Sequence, residues 1–240
     1  MTPPVLFERK DHIAIITLNR PEKRNAISQS LLIELYNNLE KISSDPEIRV
    51  GIITGAGDTF CAGLDLSRLT TDNLMDPRGD GKDLFDILKK VNKPIIGAIN
   101  GHAITGGFEL ALNCDFLIAS ENASFADTHA KVGIHPGWGM TQLLQQAVGV
   151  RMAKQMSFTC TFYSAQKMLA AGLVNEVVPK EQLMKRCMEI ATDIASVNQG
   201  MLGVVKTLIE QGSAGTFDQG LGLERKGFTD FLRKSGILNI

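Results

Sequence analysis

Apolar, largely β-branched runs recur along the chain at 13–18, 50–54, 94–99 and 116–119, each flanked by polar residues or glycine. Their length and composition predict strands. Between the first two, Leu31, Leu32, Leu35, Leu39 and Ile42 fall three and four apart, which predicts a helix over 28–42 with Ser28 as its N-cap. A second amphipathic stretch covers 83–91. Strand and helix patterns that alternate in this way predict an α/β fold. Beyond about residue 140 the pattern becomes helical, at 141–148, 165–171, 181–197 and 201–211, with short joints. Residues 70–82 hold Asp, Asn, Pro and Gly without periodicity and predict a mobile loop. Neither a low-complexity tract nor an interdomain linker interrupts the 240 residues.

Two segments, 52–66 and 95–110, change the picture from architecture to chemistry. Each runs from an apolar strand through a glycine-rich turn into a predicted helix start, and they lie about 43 residues apart. Their ends match, Cys-Ala-Gly-Leu-Asp-Leu against Thr-Gly-Gly-Phe-Glu-Leu, which suggests a repeated strand-strand-helix unit. A helix start leaves backbone N–H groups without internal partners, and those donors suit a negatively charged oxygen. Two such turns facing one cavity would form an oxyanion hole, with Glu109 one turn inside the second helix. Alone, the same glycines could serve only to turn the chain tightly.

Composition narrows the classes. The chain is 44% hydrophobic and 21% charged, enough for one sizeable core. A net charge of −1 offers no field for nucleic acid or an anionic membrane. Cys61, Cys114, Cys160 and Cys187 are widely spaced, without a C-x-x-C pair, so reduced thiols and a cytoplasmic location are expected. Residues 1–12 lack an apolar signal core, no stretch reaches the length of a membrane span, and the terminal Leu-Asn-Ile is neither a peroxisomal nor a lipidation signal.

The residues in order resemble the enoyl-CoA hydratase/isomerase (crotonase) superfamily over nearly the whole chain. The resemblance is carried by Leu18-Asn19-Arg20-Pro21-Glu22-Lys23-Arg24-Asn25-Ala26, by Phe60-Cys61-Ala62-Gly63-Leu64-Asp65-Leu66, and by 100–110. Cys114-Asp115, Pro136-Gly137-Trp138-Gly139-Met140-Thr141-Gln142 and the later Ser164-Ala165-Gln166 with Ala171-Gly172-Leu173-Val174 add to it. It implies a crotonase-like spiral of ββα units over 1–185 that binds acyl-CoA and does the chemistry. A helical region over 186–240 would assemble a homo-trimer or hexamer. It implies that the N–H groups of Leu64 and Gly106 hold the thioester oxygen of an acyl-CoA. It places Arg24, Ala26, Ala62, Asp65, Leu66 and Gly137 along the CoA and acyl group. Trp138 reads as a packing residue, with the lining of the acyl pocket as its alternative role. Neither a metal nor a redox cofactor is implied, since coenzyme A is part of the substrate. The expected activity is hydration of a 2-enoyl-CoA with Glu109 as principal base. The alternatives are isomerisation, decarboxylation or thioester hydrolysis on the same hole, or acyl-CoA binding without turnover.

One position departs from the family pattern. Typical hydratases of the family use a second glutamate after Phe125, and here His129 stands at its place with Asp127 two residues earlier. Three roles are open. His129 replaces the glutamate as acid/base, titrating near pH 6–7 as an ordinary imidazole would; or Glu109 acts alone while His129 and Asp127 orient water; or His129 is a satisfied polar residue. Asp65 and Asp115 also read as caps or structural partners, and Cys61 as core. Past Leu223-Glu224-Arg225-Lys226-Gly227-Phe228 the family commonly continues with more helix and a basic tail, so CoA binding and assembly are expected to feel an end at Ile240.

Overall fold

The computed structural model describes residues 2–235. In chain order the elements are β1 (Val5–Lys10), β2 (Ile13–Leu18), α1 (Gln29–Ser44), β3 (Val50–Gly55), β4 (Thr59–Cys61), α2 (Leu84–Lys89), β5 (Ile95–Ile99), β6 (His102–Ile104), α3 (Gly106–Leu112), β7 (Phe116–Ser120), β8 (Ser124–Ala126), α4 (His129–Val132), α5 (Met140–Val148), α6 (Val150–Thr159), β9 (Tyr163–Ser164), α7 (Ala165–Ala170), β10 (Glu176–Val178), α8 (Leu183–Ser196), α9 (Gln199–Ser213) and α10 (Phe217–Lys234). Among the described residues no helix is long and apolar enough to cross a membrane. The terminal Leu-Asn-Ile lies outside the described residues.

Two sheets organise the first unit, residues 1–196. The larger has the order β1-β2-β3-β5-β7-β10 and the smaller β4-β6-β8-β9. The pairs β3–β4, β5–β6 and β7–β8 each lay one strand in the large sheet and the next in the small one, and all neighbours in this series are parallel. The strand-strand-helix repeat suggested by the two glycine-rich segments is therefore a spiral of successive turns. The first of those turns differs from expectation. After β4 the chain makes only a 3₁₀ turn, Leu66–Arg68, before the loop that leads to α2. The physical reason is that the backbone of 62–65 bonds to 24–27, with one parallel bridge at Leu64–Ile27, through Ala62 N–H to Arg24 O, Ile27 N–H to Gly63 O and Asp65 N–H to Ile27 O.

The large sheet is buried on both faces, as the continuous apolar runs of β3 and β5 require. In β2, Ala14, Ile16 and Leu18 face the main core with Leu31, Leu32, Leu35 and Leu39 of α1. Ile13 and Ile15 face the other side, where Leu183, Cys187, Ala191 and Ala195 of α8, spaced four apart, close the sheet. This is why the first unit ends after α8, at Ser196, rather than at the expected 185/186 boundary. The second unit begins at Val197 and holds α9 and α10, each with a side-chain N-cap, Asn198 and Thr216.

The loop over 70–82 is tied down rather than loose. Gln29 Nε2 donates to Pro77 O, its Oε1 accepts from Asn73 N–H, and Arg78 makes a two-pronged ion pair with Glu40.

Candidate active site

The site grows from the start of α3. Thr105, just before it, is held at φ 50°, ψ −113°, a conformation a β-branched residue rarely adopts and that stores roughly 1–3 kcal/mol. Its hydroxyl bonds that of Thr128, the residue before α4, so the two helix starts are joined. α3 crosses β4 so closely that a methyl group on Gly107 would stand 2.2 Å from Cys61 O. Three residues beyond Gly106, Glu109 is 2% exposed. Its Oε1 accepts from Trp138 N–H (2.8 Å) and Met140 N–H (3.2 Å). Gly139 between them has φ +101°, and that bend lets both amides reach one oxygen.

The other carboxylate oxygen faces His129. His129 Nε2 lies 3.5 Å from Glu109 Oε2, and its Nδ1 lies 2.7 Å from Asp127 Oδ1, which also accepts from the His129 N–H. All three side chains are buried. Burial works against an imidazolium, but the hydrogen bonds and charges of Asp127 and Glu109 outweigh it and raise the His129 pKa to about 9. Burial likewise opposes the Asp127 carboxylate, yet bonds from His129 and Ser157 hold it below the usual range. This environment favours the charged imidazole near neutrality and moves its titration above the pH 6–7 range of an ordinary one.

The two glycine-rich turns meet. A methyl on Gly63 would lie 3.5 Å from Gly106 N, and one on Gly106 would lie 3.4 Å from Leu64 Cδ2. Leu64 pairs with Ile27 in a single parallel bridge. That register uses the N–H groups of Ile27 and Asp65 and leaves the N–H of Leu64 directed away from the bridge. The Leu64 N–H therefore belongs to the backbone of a single β-bridge, not to the helix start read in the sequence. The Gly106 N–H stands in the first turn of α3.

Arg24–Ala26 and Ala62–Leu66 run side by side through the Ala62–Arg24 and Asp65–Ile27 bonds. Arg24 and Leu66 are exposed, Ala62 is half-buried, and Gly137 is exposed beneath Met75. Asp65 is turned inward, where Arg20 (2.9 Å) and Ser67 occupy its carboxylate. Burial pushes the Cys61 thiol up to about 12, so it is no nucleophile near neutrality. No disulfide joins the four cysteines. Sequence reasoning missed Arg20 and Asn25, although both sit in the segment that carried the resemblance. Asn25, fully buried at φ 56°, holds Ala56 O and Thr59 O and fixes the turn on which Arg24 stands.

Comparison with known proteins gives this geometry its context. The enoyl-CoA hydratase/isomerase family profile matches residues 8–238. The chain belongs to the enoyl-CoA hydratase/isomerase family. It is 39% identical over 214 residues to the probable enoyl-CoA hydratase 1, peroxisomal, of Arabidopsis thaliana, covering 89% of this chain and 81% of the relative. It is 38% identical over 228 residues to the short-chain-enoyl-CoA hydratase of Clostridium acetobutylicum, covering 93% and 87%. A crystal structure of enoyl-CoA hydratase from Bacillus anthracis matches with a TM-score of 0.87 at 36% identity, covering 94% of this chain and 90% of that one. The α/β spiral of ββα units followed by C-terminal helices is the family's crotonase fold, and the family binds acyl-CoA substrates.

Proposed function

We propose that the protein is an enoyl-CoA hydratase in which Glu109 and His129 form an acid–base couple. The observation that carries this reading is the buried Glu109 carboxylate. One oxygen is anchored by two backbone amides and the other faces the His129 imidazole, three residues beyond Gly106 at the start of α3. Glu109 takes a proton from water, and the hydroxide adds to C3 of the 2-enoyl thioester. The C2–C3 electron pair shifts to give the enolate, whose oxygen is held by the N–H groups of Leu64 and Gly106. Fixed donors of this kind favour the charged transition state over the neutral ground state, roughly 3–4 kcal/mol for each donor. His129 gives its proton to C2, and Glu109 then returns its own proton to His129 across their contact. Asp127 keeps the imidazole oriented and charged. Arg24, Ala26, Ala62, Leu66 and Gly137 line the path of CoA and acyl group, and Asp65 shapes it through Arg20.

The same couple can move a proton between C2 and C4, so isomerisation is the second reading. Mass spectrometry of the product separates a gain of water from a rearrangement. Glu109→Gln keeps both amide bonds to its Oε1 but removes the base; crotonyl-CoA hydration is expected to fall about 10²-fold or more. Full activity in that variant overturns the proposal. The assignment extends to assembly and place. The C-terminal helices carry a homo-trimer or hexamer, and four thiols without a disulfide support a cytoplasmic location, which cell fractionation checks.

A further inference from the structure

Two buried asparagines converge on one backbone carbonyl. Asn25 lies beyond β2 and Asn100 directly follows β5, the two strands that flank β3 in the large sheet. Both side chains are buried. Asn100 Nδ2 donates to Gly57 O (3.0 Å) and Thr59 O (3.4 Å), and its Oδ1 accepts from Gly55 N–H (3.1 Å). From the other side, Asn25 Nδ2 donates to Ala56 O (3.0 Å) and to the same Thr59 O (2.7 Å). Each amide thus spends both of its hydrogens on the turn between β3 and β4. The turn is also pressed by its neighbours, since a methyl on Gly101 would collide with Asp58 O and one on Gly55 with Thr59 O.

Neither asparagine takes part in the chemistry, but the segments they join do. The gripped turn opens β4, which runs on into Ala62, Gly63 and Leu64; Asn100 opens the segment that becomes β6 and ends at Thr105 and Gly106. Leu64 and Gly106 therefore stand beyond the far ends of two strands that begin at one clamp. Pairing between those strands is sparse. β4 meets β6 at Thr59–His102 and Cys61–Ala103, with a register shift between them. Register in so short a ladder falls to the turns that flank it. A slip of Thr59 would pass along β4 to the place where the two glycine-rich turns meet, with a methyl on Gly63 standing 3.5 Å from Gly106 N.

We propose that Asn100, with Asn25 as its counterpart, is a positioning residue for the oxyanion hole. Its carboxamide fixes the register of β4 against β6 and so the spacing of the Leu64 and Gly106 N–H groups. The proposal rests on the reading of those two groups as the thioester donors.

The test uses Asn100→Asp, which keeps the shape and the acceptor for Gly55 N–H but turns a carboxylate oxygen toward Gly57 O and Thr59 O. Butanoyl-CoA labelled with heavy carbon at the thioester carbonyl binds without turnover, and hydrogen bonds to that oxygen lower its stretching frequency. Isotope-edited infrared spectra of the wild-type complex should show the band moved down from its position in free butanoyl-CoA. On Asn100→Asp the band should return toward the free position. Crotonyl-CoA hydration should lose about 10²-fold in kcat with KM little changed, the mark of misplaced transition-state contacts. Asn25→Asp withdraws the donors on the other side and should act in the same way; it decides the matter where Asn100→Asp does not fold. A folded variant with the wild-type band and kcat overturns the inference, and so does a loss confined to KM or to the denaturant midpoint. A wild-type band that does not move strikes instead at Leu64 and Gly106 as donors, and takes the positioning role with it.

Discussion

His129 is the residue whose behaviour the environment changes most. Its ordinary pKa is 6.5 and the folded value is about 9, because Asp127 and Glu109 face its two nitrogens. A raised value means that the folded state holds the proton more tightly than the unfolded chain. The resulting stabilisation is fully present below pH 6.5 and is lost as pH rises through 9. Thermal denaturation followed from pH 6.5 to 9.5 should therefore show the wild type losing stability over that window while His129→Gln does not. Catalysis should follow the same proton. As the proposed acid, His129 gives kcat a decline above about pH 9, and His129→Gln should remove that limb and lower kcat about 10²-fold. A tenfold loss with the limb unchanged would reduce His129 to a group that orients water. The sequence exposed the candidates: Glu109 after a two-glycine turn, His129 where the family pattern has a second glutamate. It did not expose the contact between them. Glu109 and His129 sit on different helices, which the spiral and the bonds of Thr105 to Thr128 and Ala126 bring together. The change in pKa was illegible for the same reason.

At the scale of elements, what the sequence displayed is what repeats over enough residues. α1 spans four turns with its core face at helical spacing, and Ser28 caps it as expected, accepting from Leu31 N–H. β2, β3, β5 and β7 are apolar runs buried in the large sheet. Missed elements lack that signal. β1 is an edge strand with mostly exposed charged positions. β4, β6 and β8 have three residues each, too few to show a period. α10 contains Gly220, Gly222 and Gly227 and buries no residue. The helix expected at Leu66 is absent because the backbone of 62–65 is bonded to 24–27 instead. The crossing of α3 over β4 is the tightest junction at the site, and it yields a direct prediction. Gly107→Ala would place a methyl 2.2 Å from Cys61 O and 2.6 Å from Cys61 Cβ, in a region with no flexible side-chain tip to yield. The expected cost is about 1–3 kcal/mol. It should appear as a lower denaturant midpoint at unchanged slope, with oxyanion geometry and kcat degraded together because the same shift moves Gly106.

On the scale of the molecule, the second unit poses the remaining physical question. α9 and α10 are 15 and 18 residues long, pack as neighbours in one unit, and neither buries a single residue. Isolated helices of such length are marginal in water, so they need an apolar face covered. Their apolar side chains are instead open: Ile209 is 66% exposed, Phe217 82% and Phe228 62%, with Met201, Val204, Val205, Leu223 and Phe231 above 40%. A surface this apolar and contiguous in sequence fits the association site proposed above better than a solvated face. With no strong net charge to keep copies apart, self-association is the economical solution. This is the physical ground for the proposed trimer or hexamer, in which a neighbouring copy would cover the apolar face. Sedimentation equilibrium at micromolar concentration should return three or six times the 26.1 kDa chain mass. Phe228→Asp, which puts a charge into that face, should shift the population toward monomer and lower the melting temperature of the C-terminal helices first. A wild-type sample that sediments as monomer alone would remove the assembly proposal. It would leave Glu109, His129 and the oxyanion donors to be judged by activity, since all of them lie within residues 1–196.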